Sequence, residues 1–159
     1  MITIIFETGE ELDLPLPSFR KSNLSRLELH RAIFDDLDLT EVDFTDSNLR
    51  NASFNRSLLN RGVMNGAALM NANFIGAKMM CVHLMGSVAA FADFSGANLS
   101  NANLKNADVG GSSFISTDLR GANFDVRRID GAVFSGAIYD DKTIWPEGIV
   151  PGEHGAVKV

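Results

Sequence analysis

Large apolar residues recur at every fifth position along most of the chain. The spacing runs unbroken from Phe19 to Ile144, and Ala89 is the one small residue in the series. An amphipathic helix repeats its apolar residues every three or four positions and a strand every two. A spacing of five fits neither, so the pattern predicts a repeating structure other than an ordinary helix or sheet.

Two further regularities refine this prediction. A second series, mostly Ala with some Ser and Gly, lies two residues before each large apolar residue. A twenty-residue spacing is superimposed on the five-residue spacing. Six members of the large series that are twenty residues apart are all phenylalanine: Phe34, Phe54, Phe74, Phe94, Phe114 and Phe134. We therefore expect four five-residue units to complete one coil, and these phenylalanines to form a core ladder.

Stacked coils of this kind predict an all-β solenoid. The large and small series would point inward, and the other three residues of each unit would face outward. At the usual strand spacing of about 4.8 Å, about six coils make a rod roughly 30 Å long. Backbone amides would then bond from coil to coil along the rod axis, as in other β-solenoids.

The individual units resemble a known family. The segments A-N-L-S-N, A-N-L-K-N and A-D-V-G-G, at 97–101, 102–106 and 107–111, follow the pattern A-[DN]-[LF]-x-x of pentapeptide repeat proteins. The resemblance covers Phe19 to about Tyr139. It implies a right-handed, quadrilateral parallel β-helix with four pentapeptides in each coil.

We expect one domain over residues 1–159, in which the two ends depart from the five-residue repeat and form caps. Residues 1–17 alternate, turn near Gly9 and alternate again before Pro15 and Pro17, which predicts a hairpin-like N-terminal cap. Residues 18–139 form the repeat coils. Residues 140–159 leave the pattern and predict a C-terminal cap or tail, in which Trp145 packs on the last coil.

Composition excludes several classes of protein. The formal net charge of −6 disfavours direct nucleic-acid binding. No apolar run is long enough for a membrane span, and the N-terminus does not look like an export signal. A single cysteine, Cys81, rules out an intrachain disulfide framework. We therefore expect a cytoplasmic, bacterial protein without a membrane partner.

Catalytic chemistry is not indicated. The three histidines, His30, His83 and His154, are far apart, and none pairs with a cysteine at metal-ligand spacing. Cys81 is predicted to be a free surface thiol. The glycines are explained by the corners of the coil rather than by a phosphate-binding loop. We expect no catalytic, cofactor or metal site, and no enzyme.

One candidate surface is an acidic belt that could imitate DNA phosphates. With such a belt the protein would be a modulator that binds DNA gyrase, which is what the resemblance to the quinolone-resistance pentapeptide proteins implies. Basic residues flank it one coil before and one coil after, so mutual neutralisation is the favoured interpretation. The belt consists of Asp35, Asp36, Asp38, Glu41, Asp43 and Asp46.

The other candidate surface is the nearly uncharged middle of the chain, from Gly62 to Thr117. Apolar residues at outward positions there predict a protein interface, formed by Met70, Met85, Val88 and Phe91. An alternative is that Phe91 turns inward to fill the space left by Ala89. Ile75 is expected to be an isolated exposed residue.

These observations favour a non-enzymatic interaction or scaffold module. Its protein partner is unknown, and a homodimer is one possibility. The alternative is a gyrase-binding modulator acting by partial DNA mimicry, which ranks second because the coils carry no inserted loops.

Overall fold

The computed structural model describes residues 1–159, which wind as a parallel β-helix. Parallel backbone bridges join residues twenty positions apart, so the predicted twenty-residue coil is confirmed. The bridges fall into four ladders along the rod. Ladder A runs from Asn23 to Ile144, ladder B from Glu28 to Arg128, ladder C from Ile33 to Val133 and ladder D from Asp38 to Ile138.

The core lies on the rod axis and is built from the two inward series. The six phenylalanines of the predicted core ladder are each at most 1% exposed. Successive rings stack nearly parallel, with centroids 4.9 Å apart from Phe34 to Phe94 and 5.2 Å apart at Phe114 and Phe134. The small residue two positions earlier is buried because the narrow coil has room for one bulky side chain per unit.

Each coil turns its corners at left-handed residues. The last position of nearly every five-residue unit has a positive φ, as at Asn71 (φ 57°) and Cys81 (φ 58°). Glycine and asparagine tolerate this conformation best, which explains their frequency at the corners. The backbone amide of most corner residues donates to a carbonyl on the next coil, for example Asn71 to Ala90 at 3.1 Å.

The N-terminal hairpin is confirmed. Strands β1 (Ile2–Phe6) and β2 (Glu11–Leu14) pair antiparallel, and Gly9 (φ 85°) lies in the turn between them. Strand β1 also pairs antiparallel with β3 (Ala32–Ile33), the first strand of ladder C. The hairpin therefore covers the free edge of that ladder and buries Ile4 against the core.

The C-terminal segment continues the winding further than the sequence predicts. Strand β4 (Ile138–Tyr139) pairs parallel with β5 (Val157–Lys158), and a 3₁₀ helix (Pro151–His154) precedes β5. Ladder D therefore extends into the tail. No helix of the protein is long and apolar enough to cross a membrane.

One expectation for this segment is wrong. The five-residue spacing places Ile144 in the inward series, but it is 52% exposed and bridges Asn123, twenty-one residues earlier. The one extra residue moves the inward position to Trp145. Its ring packs 5.2 Å from Phe124 and 5.4 Å from Phe134, which confirms its cap-packing role.

Candidate interaction surfaces

The surface has one concavity, at the corner that follows ladder D. It has a volume of about 240 Å³, and Glu41 contributes its only carboxylate, which lies 3.7 Å from Lys21 Nζ. No three His, Cys, Asp or Glu residues come close enough together to hold a metal ion. The residues that line the concavity are Arg20, Thr40, Glu41, Asn60, Arg61, Met80 and Cys81.

The acidic belt is interleaved with cations from the neighbouring coils. Asp35 and Asp43, which are not in ion pairs, accept hydrogen bonds from Ser53 and Thr45 instead. The belt is therefore part of a network of alternating charge, unlike a continuous run of phosphates. The ion pairs join Asp36 to Arg56 at 2.7 Å, Asp38 to Arg20 at 3.6 Å, Glu41 to Lys21 at 3.7 Å and Asp46 to Arg26 at 4.0 Å.

Local hydrogen bonds hold two of the belt carboxyls in the charged form. The guanidinium of Arg56 donates twice to Asp36, at 2.8 and 2.7 Å, and lowers the pKa of that carboxyl. Hydrogen bonds from Thr40 lower the pKa of Asp38, and the charge of Arg20 adds to the effect. Such bonds are structural contacts, and they leave these carboxylates less available to a partner.

The neutral middle places the predicted interface residues around ladder B. Val88 lies on this ladder and Met70 at the corner that follows it, and both are half-buried; Ala90, which occupies the position of Met70 one coil later, is 5% exposed. Met85 approaches from the neighbouring corner with 40% of its surface exposed. The structure thus brings the four predicted residues, Phe91 included, to one part of the rod.

Phe91 is the most exposed member of this group. It is 62% exposed, whereas Ala89 is 1% exposed, so the idea that Phe91 turns inward to fill the core is wrong. Its ring lies over Gly111 of the next coil, where a methyl group on the glycine Cα would come within 2.5 Å of the ring.

The backbone of Phe91 is strained. Its φ is 61°, and it is the only aromatic or aliphatic residue among the fifteen non-glycine residues with positive φ. A side chain with a Cβ in this region costs about 1–2 kcal/mol, a cost that the other non-glycine corner residues bear as well. What distinguishes Phe91 is its side chain, an exposed aromatic ring at a position where the other non-glycine residues are polar, charged or cysteine, and it makes this part of the rod a candidate interaction surface.

The structure also reveals an apolar ring around the same coil, which the sequence analysis does not predict. Five successive five-residue units carry an apolar residue directly after their inward residue: Met70, Ile75, Met80, Met85 and Ala90. Ile75 is 45% exposed and Met80 42%, at the corners that follow ladders C and D. The sequence does contain the signal, because these residues occupy the same position in five successive units. The sequence analysis compares only residues twenty positions apart, and by that comparison Ile75 is isolated.

Comparison with known proteins identifies the family. The family model described as pentapeptide repeats matches residues 18–46, 47–84 and 92–125, in eight copies. The chain belongs to the pentapeptide repeat family. Membership agrees with the five-residue pattern and with the ladders spaced by twenty residues. No curated protein sequence matches this pentapeptide repeat protein significantly.

Solved structures of similar proteins share the fold. QnrB1, a plasmid-mediated fluoroquinolone resistance protein, aligns with a TM-score of 0.65 and 18% identity over 80% of this chain and 79% of its own. HetL, a pentapeptide repeat protein involved in heterocyst differentiation regulation in the cyanobacterium Nostoc sp. strain PCC 7120, aligns with a TM-score of 0.53. Its identity is 17%, over 85% of this chain and 71% of HetL.

Proposed function

We propose that this pentapeptide repeat protein is a non-enzymatic interaction or scaffold module, and that its neutral middle binds another protein. The exposed, strained Phe91 carries the proposal. Aromatic and methionine side chains are enriched at protein interfaces; Met70 lies at the same corner as Phe91 one coil earlier, and Met85 lies at the corner before ladder B. Scattered exposed apolar residues need no explanation, but a contiguous group on one face indicates an interface.

We also propose the finer architecture and the setting in which this surface acts. The four ladders would be the flat sides of a right-handed, quadrilateral β-helix of about six coils. Residues 1–159 would form one domain, with caps at 1–17 and 140–159 around coils at 18–139. We place the protein in the bacterial cytoplasm, in keeping with its single cysteine.

A gyrase-binding role has less support. The similarity to QnrB1, at 18% identity, is a similarity of fold and does not indicate a shared partner. Four of the six belt carboxylates also form ion pairs with cations of the same chain, so the belt does not resemble a row of free phosphates. A supercoiling assay with gyrase, with and without a quinolone, tests it. We expect no change in supercoiling or in quinolone sensitivity at a large excess of the protein.

Affinity capture tests the proposed surface. Wild type, the Met70→Asp/Met85→Asp variant and a Met80→Asp control are compared as baits in host lysate, with mass spectrometry as the readout. Met80 is a matched control because it is 42% exposed against 40% for Met85 and lies at the corner that follows ladder D. We expect a protein that wild type and Met80→Asp retain and that the double variant loses. A protein retained equally by all three would contradict the proposal.

A further inference from the structure

We propose that the concavity at the corner that follows ladder D binds a small organic carboxylate. This site lies away from the interface proposed around ladder B, so its test is independent of that proposal. Its lining residues come from four successive coils. In order along the rod they are Arg20, then Thr40 and Glu41, then Asn60 and Arg61, then Met80 and Cys81.

Arg61 supplies the charge for this site. Its side chain is exposed and forms no ion pair within the chain. The other two charged residues that line the concavity are already paired. Arg20 Nη1 lies 3.6 Å from Asp38 Oδ2. Glu41 Oε2 lies 3.7 Å from Lys21 Nζ. One positive charge is therefore left without a partner, and it favours an anionic ligand.

Asn60 adds a neutral donor beside Arg61. Its Oδ1 accepts a hydrogen bond from the backbone amide of Met80 at 2.9 Å, which leaves the two N–H groups of Nδ2 as donors. A guanidinium presents parallel N–H groups that match both oxygens of a carboxylate. Because both side chains line the same concavity, one carboxylate can bind Arg61 and accept from Asn60.

The far end of the concavity is less polar and suits the carbon part of a ligand. Met80 and Cys81 lie there, one coil after Asn60 and Arg61 and in the same positions of the unit. Met80 is exposed and Cys81 half-buried, so both are open to contact. The volume of about 240 Å³ is smaller than the roughly 300–1,000 Å³ of most ligand pockets, which indicates a small molecule.

The charge of the concavity favours a carboxylate over a phosphate. Glu41 lines the same space and repels an anion more strongly as the charge of the anion increases. A phosphate monoester carries about two negative charges at neutral pH, and a carboxylate carries one. The single unpaired charge of Arg61 therefore balances a carboxylate and not a phosphate.

Nuclear magnetic resonance of methyl-labelled methionine tests the site, with benzoate as the probe and benzamide as its uncharged counterpart. Benzoate, benzamide and inorganic phosphate are titrated separately at constant ionic strength. We expect benzoate to shift the Met80 signal saturably, with a dissociation constant of millimolar order, and the other two to bind at least about fivefold more weakly. Met85 is similarly exposed at another corner, and its signal should not move.

Two variants identify the charge that is responsible. Arg61→Gln should weaken benzoate binding at least about fivefold, because it removes the unpaired guanidinium. Arg31→Gln is the matched control: Arg31 has the same position in its unit, a φ of 64° against 59° and no ion pair, but lies at the corner that follows ladder B. Benzoate should also slow the reaction of Cys81, the single cysteine, with N-ethylmaleimide.

Any of four results would overturn the inference. The first is a Met80 signal that benzoate does not shift. The second is equal binding of benzoate and benzamide, which would mean that only the ring is bound. The third is equal binding of benzoate and phosphate, which would mean that the concavity takes any small anion. The fourth is an equal loss of binding in both variants, which would mean that the overall charge of the chain is the cause.

Discussion

The first coils and the middle coils have the same interior and different exteriors. From residue 18 to 61 the outward positions carry many charges, and four ion pairs join one coil to the next. From Gly62 to Thr117 only four charged residues occur: Lys78, Asp93, Lys105 and Asp108. The phenylalanine stack nevertheless passes through both regions with a centroid spacing of 4.9 to 5.0 Å.

This contrast shows that the inward and outward positions of each unit are separately variable. Alternation along a strand sends neighbouring side chains to opposite faces, so a change outside leaves the core untouched. The fold is therefore stabilised by the inward residues. The outward residues therefore carry charge pairs in one region and apolar side chains, the proposed binding surface, in another.

The largest predicted effect is the loss of one ring from the phenylalanine stack. Phe54→Ala in the charged region and Phe94→Ala in the neutral region should each lower the free energy of unfolding by about 3–5 kcal/mol, because each leaves a cavity between two stacked rings. Urea unfolding at constant pH measures both. A difference of more than about 2 kcal/mol between the two variants would show that the core is not uniform.

A substitution at Phe91 is expected to change the free energy of unfolding by a smaller amount and to raise it. Phe91→Asn replaces a strained aromatic residue by the residue found at the corners Asn71 and Asn101. It should raise the free energy of unfolding by about 1 kcal/mol while weakening protein binding. Thermal unfolding and the capture assay measure the two quantities. A destabilised variant would mean that the ring stabilises the fold through Gly111 and is not held there for binding.

The smallest effect concerns the charged region. Since Arg56 lowers the pKa of Asp36 in the folded protein, the pair stabilises the fold above the unfolded carboxyl pKa of about 3.9. That stabilisation is lost as the pH falls through the lowered pKa. The stability difference between wild type and Arg56→Gln should therefore be present at neutral pH and shrink in strong acid.

Arg61→Gln is the control for this prediction, because Arg61 takes part in no ion pair. Urea midpoints at neutral and strongly acidic pH give the comparison. A difference for Arg56→Gln that is the same at both pH values would mean that the ion pair with Asp36 is not its source.

The sequence predicts the coil and its core because their spacing is strict. A five-residue unit with one large and one small residue leaves few alternatives, and the twenty-residue phenylalanine spacing sets the length of the coil. The sequence does not predict that Trp145 takes the inward position instead of Ile144. The turn from Asp140 to Thr143 contains one extra residue, which shifts the inward position by one, and no repeat follows in which this shift could be recognised.

The surface is predicted less completely. The outward position of Phe91 depends on how the coil closes around Ala89, which is a matter of packing and not of spacing. The winding of the tail back onto β4 depends on contacts between residues nearly twenty positions apart in a segment without the repeat. The basic residues around the acidic belt predict neutralisation, but which residues pair is set by side-chain geometry.

The central claim, that the neutral middle around ladder B is the working surface, is tested most directly by nuclear magnetic resonance of methyl-labelled methionine. Met70 and Met85 report on the proposed surface, Met80 on ladder D, and the fully buried Met64 and Met79 on the core. Adding the captured partner should shift the Met70 and Met85 signals and leave Met80 unchanged. A shift at Met80 alone, or no shift, would contradict the account.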